Sequence, residues 1–157
     1  MSLAVRPITR VQAILHSIVD WQLLPEVISH QDIDWTLSDE KGKTAFHWLT
    51  TYRTSAAGVI HAIDVLSSRA WINDQDSDGN TPLHDLLFVL AEEHNNLASE
   101  ETMNLLLHMV SLYLEVGSEM ELKNTQGWTC YDVIHYRLPS RLRDYILDIV
   151  SKRSDNL

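Results

Sequence analysis

The sequence predicts an all-α chain of short helices joined by glycine-bearing turns, and three observations carry that prediction. The first is the stretch Asp76-Ser77-Asp78-Gly79-Asn80-Thr81-Pro82-Leu83-His84. Asp76 to Gly79 is turn chemistry, because aspartate can bond its own backbone and glycine takes a positive φ without a Cβ penalty. Thr81 is a helix N-cap, and Pro82 falls at the first helical position, where its missing N–H costs nothing. The second observation is that the stretch recurs, at Asp39–His47 upstream and Asn124–Asp132 downstream, with Gly and Thr in the same register each time. The third is apolar spacing at i, i+3, i+4 and i+7, clearest at Val59, Ala62, Ile63 and Leu66.

The order of turn, cap, proline, leucine and histidine resembles the ankyrin repeat signature, whose T-P-L-H-x-A core opens the first helix of each unit. The resemblance implies an ankyrin-type α-solenoid of stacked helix-turn-helix units with finger-like loops. The glycine spacings are 79 − 42 = 37 and 127 − 79 = 48 residues, against about 33 for the family, so about 4 and about 15 residues are inserted. One domain is expected over residues 9–153. It divides into a degenerate N-terminal cap at 9–36, a repeat at 39–75, a repeat with an insertion at 76–123, and a C-terminal capping unit at 124–153.

Taken in order, Thr9 can cap a helix carrying Val11, Ile14, Leu15, Ile18 and Val19, and Pro25 opens a shorter one. Thr44 starts the next, with Phe46 and Leu49 facing the core and Trp48 read as core with Trp21. Arg69-Ala70-Trp71-Ile72-Asn73 resembles a closing turn in which Arg69 stands where glycine is usual. In the second unit Leu83, Leu86, Leu87 and Leu90 extend the first helix, and Asn95-Asn96 is a stop. Ser99 caps the following helix, with Glu100 and Glu101 at the positive end of its dipole. The insertion is therefore placed around Glu92 to Met103, in both helices or the loop between them. The last unit has Cys130 for the family's proline and Asp132 for its histidine. Its first helix must be short because Pro139 follows, and Ser140 is read as the cap of a final helix with Leu142, Tyr145, Ile146 and Ile149 apolar.

Charge narrows the partners. Twelve Lys+Arg against 22 Asp+Glu give a net −10, an excess that repels phosphate backbones, so nucleic acid is not an expected partner. No apolar run reaches the ~18 residues of a bilayer span. Residues 1–8 lack a signal-peptide core, which leads to the expectation of an intracellular protein, cytoplasmic before nuclear. The single cysteine excludes an internal disulfide.

Eight histidines invite a catalytic or metal reading. They lack HExxH or paired Cys/His spacing, and His47 and His84 fall where the ankyrin resemblance implies hydrogen bonds to the cap threonine and a neighbouring loop. There is no G-x-S-x-G elbow, and the glycines do not form a phosphate-cradling loop. Cys130 stands at a helix start, where a thiol pKa can fall; a packing role is the preferred reading. No cofactor and no enzymatic activity are expected.

The tryptophans are more informative, since aromatics at exposed positions are typical of binding hot spots. Trp35, Trp71 and Trp128 lie in or beside the turns. By resemblance the finger tips and first-helix face form a concave protein-binding surface, which here implies Lys41, Lys43, Trp71, Ser77, Asp78, Asn80, Gln126 and Trp128. The expected function is recognition of a protein or peptide by a monomer, with a basic partner favoured by the acidic excess. The alternative is a targeting or regulatory segment of a larger enzyme or effector.

Overall fold

The computed structural model describes residues 38–51 and 72–155, with Val59, Ile60, Ile63 and Ser67 between them. The expectations for residues 9–36, and for Arg69 to Trp71, lie outside the described residues. Five helices are bounded: α1 Ala45–Thr51, α2 Pro82–Asn95, α3 Glu100–Val116, α4 Cys130–Arg137 and α5 Ser140–Asp155. No strand occurs among the described residues.

The helices start where their caps dictate. Thr81 and Thr129 are extended, and each hydroxyl accepts the N–H three residues on, from His84 and Asp132 respectively. Ser99 does the same for Thr102. α2 stops at Asn95 with Asn96 as its C-cap, and α3 closes on Gly117 at φ 122°. One expectation fails at α5. Ser140 is its first helical residue, and the Arg143 N–H bonds the Pro139 carbonyl, so the chain turns helical directly after the proline.

α1, α2 and α4 pack side by side in that order, and α3 and α5 pack behind them, α3 on α2 and α5 on both α3 and α4. The core is the inner stripe of each helix. Phe46 and Leu49, then Leu83, Leu86, Leu87 and Leu90, then Leu106, Met109, Val110 and Leu114 are all buried. Val59 and Ile63 are helical and buried, as their spacing predicts. Tyr113 ties the back layer to the front: its ring meets Phe46 edge-on at 5.8 Å, and its hydroxyl donates to the Phe46 carbonyl at 3.1 Å. Burial holds that phenol well above its ordinary pKa, which keeps it a donor.

Much of the length between Gly79 and Gly127 is helical, with only a short loop between α2 and α3. α2 has 14 residues against 8 in α4, and only Asn96 to Ser99 separate it from α3. Three of the four apolar positions read for α5 face inward: Ile146 is buried and Leu142 and Ile149 pack partly against the core, joined by Leu147 and Val150, while Tyr145 is 55% exposed.

Candidate functional site

The three glycine turns share one hydrogen-bonding frame, residue for residue. In each, the first N–H bonds the carbonyl four residues on, and the glycine N–H bonds back three. The pairs are Asp39–Lys43 with Gly42–Asp39, Asp76–Asn80 with Gly79–Asp76, and Asn124–Trp128 with Gly127–Asn124. The leading side chain locks the turn from inside. Asp39 Oδ1 accepts from Lys41 N and Lys43 N, Asp76 Oδ1 from Asp78 N and Asn80 N, and Asn124 Oδ1 from Gln126 N and Trp128 N, all at 2.9–3.0 Å.

Each turn also bonds its neighbour. Ser77 N donates to the Lys41 carbonyl at 2.7 Å and Thr125 N to the Asp78 carbonyl at 2.9 Å. A histidine makes the second link. His47 Nδ1 accepts the Thr44 N–H, so its proton sits on Nε2, which donates to the Asn80 carbonyl at 2.8 Å. His84 repeats this with Thr81 and the Trp128 carbonyl. Burial lowers the pKa of both rings, outweighing the carbonyl bond that favours a charged ring. These are neutral, fully bonded histidines. Asp132 stands in the same place in the third unit and accepts the Thr129 N–H, but a carboxylate has no proton to send onward.

Against this frame the candidate residues separate. Lys41, Ser77, Asp78 and Gln126 are exposed, and Asn80 is half-buried. Asp78, Asn80, Asn124, Thr125, Gln126 and Phe88 of α2 line one cleft of about 240 Å³. Lys43 points the other way: its Nζ bonds Asp76 Oδ2 and Asp85 Oδ2, each at 3.0 Å, with the side chain 25% exposed. Burial pulls this ammonium down, but the two carboxylates more than offset it, and its pKa lies above the ordinary value. Burial also raises Asp85, against the pull of Lys43. His47, Asp76 and Asp85 have the spacing of a metal triad. The lysine ammonium already lies between the two carboxylates, and both nitrogens of His47 are engaged.

Trp128 is half-buried and packed against the core, its ring 5.8 Å from that of Tyr136. The Arg137 guanidinium lies 5.6 Å from the Trp128 ring and 5.9 Å from Phe88. Sequence reading missed Phe88, Tyr136 and Arg137, although Phe88 falls outside the Leu83/Leu86/Leu87/Leu90 stripe and is thereby marked as facing elsewhere. Trp48 is half-buried and donates its indole N–H to Asp39 Oδ2, so it braces the first turn as well as contributing to the core. Trp35 and Trp71 lie outside the described residues. Cys130 is fully buried and burial pushes its thiol up to about 12, opposite to the activation a helix start can give. No model of a known protein family matches the chain, and no curated protein matches it.

Proposed function

We propose that the chain is an ankyrin-type repeat module that recognises a protein or peptide through its row of turns and the adjoining first-helix face. The observation that carries this reading is the repetition of the turn frame with different outward side chains at each step. Bonds that build the turn recur, while the solvent-facing positions change from Glu40-Lys41 to Ser77-Asp78 to Thr125-Gln126. A rigid, hydrogen-bonded platform of this kind loses little entropy when it binds.

The contact residues of this reading are Lys41, Lys43, Ser77, Asp78, Asn80, Gln126 and Trp128, together with Trp71, which lies outside the described residues. Lys43 would act through the platform, since its charge is held by Asp76 and Asp85. A net charge of −10 favours a basic or neutral partner surface, and its rim charges would mainly set the association rate.

The test is affinity capture with mass spectrometry, comparing the chain with a double variant, Asp78→Ala with Gln126→Ala, at exposed positions. A partner retained by the parent and lost by a folded variant supports the reading. A partner retained equally by both removes the turns from the interface. For the identified complex, an association rate unchanged between low and high salt would remove the electrostatic part.

A further inference from the structure

On the side of the molecule built by the second helices lies a cleft of about 310 Å³ that shares no lining residue with the turns. Its walls come from the end of α3, the segment after it, the start of α4 and the last turns of α5. Leu114, Met120, Tyr131 and Val150 give it apolar surface. That volume lies at the lower end of the roughly 300–1,000 Å³ typical of small-ligand sites.

Two polar atoms in the lining have no partner among the described residues. The Ser118 hydroxyl, on a residue only 8% exposed, makes no hydrogen bond, and neither does the buried Nη1 of Arg153. Such groups are rare in folded proteins because each has lost its water without replacement. Both can donate, so an acceptor oxygen is called for. Glu119 and Glu121, both exposed, line the same cleft and add negative charge. With Arg153 they leave it at 1 − 2 = −1, which opposes a plain anion and favours a ligand that carries a cation as well.

We infer that this cleft binds an α-amino acyl group with an apolar side chain. Its carbonyl or carboxylate oxygen meets Ser118 and Arg153, its ammonium meets Glu119 and Glu121, and its side chain lies on Leu114, Met120, Tyr131 and Val150. A free hydrophobic amino acid and the N-terminus of a peptide share this chemistry.

The experiment is calorimetric titration of the full chain with L-leucine, L-leucinamide and the dipeptide Leu-Gly, against 4-methylpentanoate and 3-methylbutylamine. At least one of the first three should saturate with a dissociation constant on the order of 0.1–1 mM. Each of the last two, lacking one charged end, should bind at least about tenfold more weakly. Binding by leucine alone identifies the free amino acid, and binding by the amide and dipeptide identifies a peptide N-terminus. Arg153→Gln and Ser118→Ala should each weaken binding about tenfold, with unchanged circular dichroism confirming the fold. Glu119→Gln, at an exposed position, supplies a variant that does not threaten folding and should weaken the ammonium-bearing probes alone. Absence of saturation up to about 5 mM overturns the inference. Equal binding of all five probes, or binding indifferent to all three variants, overturns it too, since water would then be the resident partner of Ser118 and Arg153.

Discussion

The second and third turns have the same frame and different surroundings. Around Gly79 the third turn presses in: a Cβ there would lie 2.7 Å from Thr125 N and 2.8 Å from Asn124 Cα. Around Gly127 a Cβ would meet nothing within 4 Å. Thr81 is buried and Thr129 half-buried, and His84 reaches onward where Asp132 does not. Identical local chemistry therefore carries different structural weight, and neighbours rather than propensity decide how much.

The largest separation is expected one residue before that histidine and aspartate. Leu83 is fully enclosed, whereas Tyr131 in the matching position is half-buried. Leu83→Ala should cost about 2–5 kcal/mol in urea unfolding, and Tyr131→Ala clearly less. Equal costs would show that the two units share one core environment and would dissolve the contrast.

The glycines come next. Both hold positive φ, 76° and 81°, so alanine at either is strained by about 1–2 kcal/mol. Gly79→Ala must in addition push two backbone segments apart, adding roughly 1–3 kcal/mol of overpacking. If Gly127→Ala proves as damaging as Gly79→Ala, the close approach of the turns has been misjudged.

A pH titration sharpens the histidine–aspartate contrast. The folded-state pKa values of His47 and His84 lie below the unfolded value, so the unfolded chain binds more protons as acidity increases. Their contribution is complete above about pH 6.5 and declines as pH falls toward the lowered values. Chemical-denaturation midpoints should therefore decrease from pH 7.5 to 5.5. His84→Gln should start lower and show a shallower slope, and an unaltered slope would assign the effect to other groups.

The smallest effect is expected at Trp128. Its ring is half-buried with Tyr136 and Arg137 as neighbours, so Trp128→Ala should cost about 1 kcal/mol of stability. If it is also a contact residue, partner affinity should fall by about 2 kcal/mol, read by calorimetry on the folded variant. Loss of stability with intact affinity would give the ring to packing alone.

Local signals were legible because they are local. A threonine before Pro82, serine before the acidic pair Glu100-Glu101 and glycine after α3 each act within a few residues, and all three helix ends lie where they indicate. The inward course of Lys43 was not legible, because it depends on Asp76 and Asp85, 33 and 42 residues away. Nor was the Phe88–Arg137–Trp128 grouping, whose members come from two helices and a turn. Tyr145 shows the limit of periodicity: it suits the apolar stripe of α5 by spacing, yet the packed face is centred on Ile146. In the cleft beside Ser118, no motif could have signalled two donors left without acceptors, since absence of a partner is a property of the assembled molecule.

The histidine links also give the row of turns a direction. His47 donates to a carbonyl at residue 80 and His84 to one at residue 128, always toward the C-terminus. A chain leaving the ribosome presents each histidine dozens of residues before its acceptor exists. The first two units are thus chemically unfinished until the turn of the next has emerged, each with a donor still in need of water. Removing a unit from the C-terminal side would expose the same deficit again. Removing one from the N-terminal side would leave the histidine's carbonyl short of a donor and would also strand the turn N–H, of Ser77 or Thr125, that had bonded back to the lost unit.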